Sequence, residues 1–256
     1  MAVDLGLKGK RAIVTGGTRG IGRAIVDTLA GEGCAVALCA RNKGQVDETV
    51  ATLREKGTKA QGGVVDVADT KAQRAWIEQA AAALGGLDIF IANVSALAMG
   101  MDEESWRRSL DIDVMGTVFG CEAALPALEK SQGGGAIVVI GTTGLVEIAG
   151  PTRPYASVKA ALVPYVKSLA RNLAAKNIRA NMVSPGTVYF KGGVWDVTEQ
   201  KRPEIYKAAL ARNPMGRMGT PQEIANAAVF LASPRASFIS GTNLIVDGAL
   251  TQRIQF

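Results

Sequence analysis

With 256 residues, 48% of them hydrophobic and 20% charged, the chain has material for a sizeable core and lies far from the disordered regime. It contains no histidine, which excludes a Ser-His-Asp hydrolase, a His-ligated zinc site and a His general base. The net charge of +6 is scattered, with no basic run and no interleaved aromatics, so it suits attraction of a phosphorylated ligand better than nucleic acid.

In chain order, the opening MAVDLGLKGKR holds no apolar stretch of signal-peptide length. No later run approaches the roughly 18 apolar residues of a spanning helix. These features predict a soluble, cytoplasmic protein with no membrane partner. Short apolar, β-prone runs then alternate with amphipathic segments. The runs lie at 11–16, 35–40, 61–67, 88–93, 136–141, 178–185 and 243–248, and helices are expected near 20–32, 43–56, 69–84, 103–130, 153–176 and 221–232. Strands this apolar, without alternation, suit a parallel sheet covered on both faces. The expectation is an α/β fold: a single doubly wound, Rossmann-type domain over 1–256, with a seven-stranded parallel sheet and helices on both faces. One long connection breaks the rhythm. It is expected to form a substrate lid at about 187–217, carrying one short helix near 203–211. The three cysteines, Cys34, Cys39 and Cys121, have no metal-ligand spacing, and their odd number argues against a disulfide framework.

After the first strand comes TGGTRGIG, Thr15 to Gly22, opening the first helix. Gly16, Gly20 and Gly22 leave room for a tight turn and close approach of a pyrophosphate, and the helix N-terminus supplies free N–H donors. Further on, PYASVK places Tyr155 and Lys159 four residues apart, hence on one helical face. Alone, that pair reads first as a chance feature of a lysine-bearing helix surface and only second as a catalytic acid with its activator.

Three residues separate the first two key glycines, and TGxxxGxG with Asp66-Val67, Asn93, Tyr155…Lys159, Pro185-Gly186 and the closing SGTNLIVDGA resembles the short-chain dehydrogenase/reductase family over essentially the whole chain. The resemblance implies a nicotinamide cofactor held by Gly16, Thr18, Arg19, Gly20, Ile21 and Gly22, with Asp66 and Val67 at the adenine. It also implies cofactor contacts from Asn93, Pro185, Gly186 and Val188, and from Tyr155 and Lys159. NAD-preferring relatives carry an acidic residue at the end of the second strand; here LCARN puts Ala40 there, followed by Arg41. Guanidiniums at 19 and 41 suit a 2′-phosphate, so NADP(H) is expected, although Arg41 could also be a solvated post-strand residue. Asp66 could equally cap the next helix.

The resemblance further implies reduction of a carbonyl, or oxidation of an alcohol, by hydride transfer. It assigns Tyr155 as proton donor and Lys159 as its activator. A free phenol titrates at about 10, and a nearby ammonium lowers that by about one to three units. Where relatives have a serine thirteen residues before the tyrosine, VVIGTTG places Thr142, a hydroxyl with the same donor and acceptor capacity. Where they have an asparagine, seven residues after Trp106 and three before Gly116, stands Asp113. Its charge would oppose the effect of Lys159 on Tyr155, unless it is a solvated helix residue. Two more departures are ANVS at 92–95, where relatives read Asn-Asn-Ala-Gly, and Phe190, where they often have a threonine on the nicotinamide amide. Leu97, Met99, Val146, Val188, Tyr189 and Trp195 would form a largely apolar substrate wall. The expected partner is a small carbonyl or alcohol, and the expected assembly a homotetramer or dimer paired through 103–130 and 153–176. A 3-oxoacyl-thioester reductase and a catalytically weak NADP-binding regulator are the alternatives.

Overall fold

The computed structural model describes residues 4–98, 100–148 and 154–254. Seven strands, β1 (Arg11–Thr15), β2 (Ala35–Ala40), β3 (Ala60–Val64), β4 (Ile89–Ala92), β5 (Gly135–Ile140), β6 (Ile178–Pro185) and β7 (Asn243–Val246), form one sheet in the order β3-β2-β1-β4-β5-β6-β7. Every pairing is parallel. The register carries one row of side chains from Leu38 through Val14, Ile91 and Val138 to Asn181.

The unbroken apolar runs follow from cover on both faces. Ala12 and Val14 enter one core layer and Ile13 the other; in β5, Ala136, Val138 and Ile140 enter the first, Ile137 and Val139 the second. The first layer packs under α1 (Gly20–Gly31), α2 (Lys43–Glu55) and α10 (Pro221–Ala232). The second packs under α3 (Thr70–Leu84), α5 (Gly116–Leu128) and α7 (Leu162–Leu173). Period-2 alternation of direction with burial on both sides leaves no polar face to read. Among the described residues no helix is long and apolar enough to cross a membrane.

Three predicted elements need correction. The helix expected over 103–130 is α4 (Glu103–Ser109), a π-turn at Leu110–Met115, then α5. Side-chain hydrogen bonds compete with the helix ladder there: Gln73, from α3, donates to the Gly116 carbonyl at 2.9 Å, and within the stretch the Thr117 hydroxyl donates to the Asp113 carbonyl at 2.8 Å. The helix expected over 153–176 is α6 (Pro154–Lys159) followed by α7, with Arg153 outside the described residues. Pro164 explains the break, because it offers no N–H to Ala160 and its ring crowds that carbonyl. Between β6 and α10 lie two helices where one was expected, α8 (Val194–Lys201) and α9 (Pro203–Ala211). Pro203 takes the first position of α9 and separates them. This excursion closes on itself at its base. Val188 bridges Gly219, Tyr189 donates its N–H to Gly219, and the Thr187 hydroxyl donates to Asn213.

Candidate functional site

The sheet order reverses between β1 and β4, and in open parallel sheets ligands bind in the crevice beyond the carboxyl ends of the strands at such a point. The predicted motifs collect there, on the turns after β1, β4, β5 and β6.

After β1 the chain turns through Gly16 and Gly20, both at positive φ, into α1. A Cβ at Gly22 would lie 2.1 Å from the Gly16 carbonyl oxygen and 2.4 Å from Asn93, so only glycine fits. The turn is pinned by Asn93, whose side chain donates to the carbonyls of Thr15 and Gly16 at 3.2 and 3.1 Å. Asn93 thus braces the glycine turn from β4. Arg19 caps α1 in extended conformation without a side-chain hydrogen bond, leaving the first-turn N–H groups without a side-chain acceptor. Thr18 contacts Gln45 at the start of α2. Arg19 and Arg41 are exposed and pair with no group among the described residues. Asp66 is exposed and accepts from the Ala68 N–H, beside buried Val67. It holds a local turn and does not cap α3; that cap is Asp69, which accepts from the Lys71 and Ala72 N–H groups. Ile21 packs on the first core layer.

At the other end of the crevice, Pro185 closes β6, and Gly186 sits so close to Asp247 that a Cβ would lie 2.7 Å from the aspartate Cβ. Val188 packs on the first core layer. Phe190 turns its ring back over the glycine turn: a Cβ at Gly20 would be 2.6 Å from the Phe190 Cζ. Tyr189 points its hydroxyl into the excursion, between the carboxylates of Asp196 at 3.1 Å and Glu199 at 2.7 Å. Leu97, Val146, Val188, Tyr189 and Trp195 remain partly exposed around the cleft, while Met99 lies outside the described residues.

The structure brings Tyr155, Lys159, Thr142 and Asp113 together. Tyr155 has its hydroxyl beside the side chains of Thr142 and Ser95, and the Lys159 Nζ lies 5.8 Å from its ring centroid. Thr143 turns away and is buried, as the alternation at the strand end predicts. Lys159 is 2% exposed; it donates to the Ile140 carbonyl at 2.8 Å and stands 3.6 Å from Asp113 Oδ1. Asp113 is wholly buried, which disposes of the solvated reading. Its Oδ2 accepts from the Ala96 N–H at 3.3 Å, and Oδ1 has no hydrogen-bond partner among the described residues.

Burial and the Asp113 charge push the Tyr155 phenol up to about 12, against the opposing influence of the Thr142 and Ser95 hydroxyls. From the sequence a phenol lowered by its lysine and partly restored by Asp113 is expected; the effect of Asp113 has the expected sign, but the net lowering does not hold. Loss of solvent and the carboxylate outweigh that attraction. Burial lowers Lys159, while Asp113 favours its charged form. Ser95 was visible as a departure from the family motif, but its contact with Tyr155 depends on the fold of 93–98 and had no local signal.

A family model described as enoyl-(acyl carrier protein) reductase matches residues 16–251. The chain is 41% identical to isoepoxydon dehydrogenase patN of Penicillium expansum, over 100% of both chains. It is 37% identical to a 3alpha-hydroxysteroid dehydrogenase of Mediterraneibacter gnavus, covering 95% of this chain and 97% of that one. The structure of L-sorbose reductase from Gluconobacter frateurii, complexed with NADPH and L-sorbose, superposes with a TM-score of 0.91 at 30% identity, over 98% of this chain and 100% of that one. With its motifs on the strand ends of a doubly wound sheet and these relatives along its full length, the chain belongs to the short-chain dehydrogenase/reductase family of oxidoreductases.

Proposed function

We propose that the protein is an NADP(H)-dependent carbonyl reductase or alcohol dehydrogenase, with Tyr155 as general acid and base. The convergence of Tyr155, Lys159 and Thr142 at the mouth of the crevice carries the proposal. The glycine turn fits a dinucleotide: Gly22 leaves a cradle that a Cβ would fill, α1 opens without a side-chain cap, and Arg19 and Arg41 are free to meet a 2′-phosphate. Relatives of known structure hold NADPH or NADP, which supports the same choice. Bound there, the cofactor supplies or accepts the hydride.

The chain's own residues handle the oxygen and the proton. Thr142 holds the substrate oxygen beside the phenol, and Tyr155 passes its proton to that oxygen in reduction and takes it back in oxidation. Lys159 supplies the adjacent positive charge, moderated by Asp113. Residues 187–217 act as a lid over a largely apolar cleft, within one domain spanning 1–256. Leu110 and Met115, exposed on the 103–130 stretch, support pairing of subunits in a homotetramer or dimer, which sedimentation tests.

The decisive experiment is a panel of medium-sized apolar ketones and aldehydes, plus a 3-oxoacyl thioester, assayed with NADPH and with NADH. NADPH consumption with the ketones, abolished by Tyr155→Phe, is expected. Preference for the thioester would select the acyl reductase. Tight NADPH binding with no turnover would leave a regulator.

A further inference from the structure

β7 delivers the chain to the carboxyl edge of the sheet, with β6 lying between it and β5. These three strands run parallel, so a segment leaving β7 reaches the turn after β5 only by passing over the end of β6. The residues after β7 take that path. Gln252 donates its backbone N–H to the Glu147 carboxylate at 2.7 Å, across 105 positions of sequence.

The reversal is built into the turn. The Asp247 carboxylate accepts from the N–H groups of Ala249 and Thr251 at 3.0 and 2.9 Å, and from the Thr251 hydroxyl at 2.8 Å. Gly248 and Ala249 both lie in the left-handed region, at φ 63° and 65°, which alanine adopts only where its surroundings hold it there. The base of the turn rests on its neighbours. A Cβ at Gly186, after β6, would lie 2.7 Å from the Asp247 Cβ, and one at Gly248 would lie 3.1 Å from Met215 Sδ, at the end of the excursion.

Glu147 stands at the other end. Its N–H donates to the Thr143 carbonyl at 3.0 Å, so it belongs to the turn that Thr142 opens, where Thr142 Oγ1 accepts from the Gly144 N–H at 3.2 Å. It also follows Val146, one of the partly exposed apolar residues around the cleft. The segment 247–252 therefore ties the Thr142 turn to the foot of the excursion, across the end of the crevice away from the glycine turn.

With carbonyl reduction as the chemistry, on which this inference rests, we propose that 247–252 is a specificity-determining strap. Clasped to Glu147, it closes that end of the crevice and limits the length of the carbonyl compound that fits.

The test uses the full chain, NADPH and straight-chain methyl ketones from butanone upward. Glu147→Ala removes the acceptor, and Gln252→Pro removes the donor. Each should raise kcat/KM for the longest ketones relative to butanone by about fivefold, through KM rather than kcat, with the NADPH Kd unmoved. Glu147→Gln, whose amide oxygen still accepts, should return the original profile. The two disruptive changes together should add little to either alone, because both break one contact. Release of the strap is read without turnover: trypsin should cut after exposed Arg253 faster in both variants, and not in Glu147→Gln. The length preference is also read by ketone quenching of bound NADPH fluorescence. An unchanged preference in both Glu147→Ala and Gln252→Pro overturns the proposal, even where trypsin cuts faster. Failure of the functional reading looks different: no ketone is turned over, yet the length preference in binding still follows the acceptor at 147.

Discussion

Asp113 and Arg41 are single residues whose chemistry sets measurable quantities. Asp113→Asn removes a buried negative charge beside the Tyr155 phenol, so the phenolate becomes easier to form. With Tyr155 as the proposed base, oxidation draws on that phenolate, and its pH–rate profile should move towards lower pH by about one unit. The same change also withdraws the anion that favours the charged form of Lys159. A profile that moved the other way would show that the lysine had lost its proton instead. Arg41 stands exposed after β2 with no partner among the described residues. Arg41→Asp should repel a 2′-phosphate and shift preference from NADPH to NADH, read as the ratio of kcat/KM values.

At the scale of elements, α10 is anchored by a full capping box. The Thr220 hydroxyl accepts from the Glu223 N–H, and Glu223 accepts from the Thr220 N–H at 2.8 Å. Arg217 and that N–H hold the Glu223 carboxyl down at about 2, so the box persists through the usual pH range. Thr220→Ala should cost about 1 kcal/mol, measured by urea denaturation. Most elements could be read before the fold was known. Runs such as AIVVI announce a doubly covered strand because nothing in them is polar, and TGGTRGIG announces its turn because only glycine serves there. The break at Ala160 had a local signal in Pro164. The π-turn had none, since it depends on Gln73 arriving from α3. Ser95 was legible as an oddity and illegible as a contact, because its partner lies sixty residues away. Asp113 was legible in position, but only packing shows that it is dry.

For the whole molecule, two apolar layers on one sheet leave no solvent path to the thiols. Cys34, Cys39 and Cys121 are free and buried, and burial pushes each up to about 12. The native protein should therefore resist a thiol reagent near neutral pH, and all three thiols should react once the chain is unfolded. Partial reaction under native conditions would reveal opening of a core layer well below the denaturation midpoint.

The Phe190 ring on Gly20 has a consequence for binding in the same molecule. A ligand that touches the open face of Gly20 must share space with that ring, so residue 190 acts as a tethered competitor. Dilution cannot remove such a competitor, because its effective concentration is set by the chain. Linkage then runs both ways: a dinucleotide displaces the ring, and any ligand that draws the ring and its excursion aside tightens the dinucleotide by the same factor. Phe190→Ala should lower the NADPH Kd, read by nicotinamide fluorescence, and should weaken the effect of a bound ketone or alcohol on that Kd.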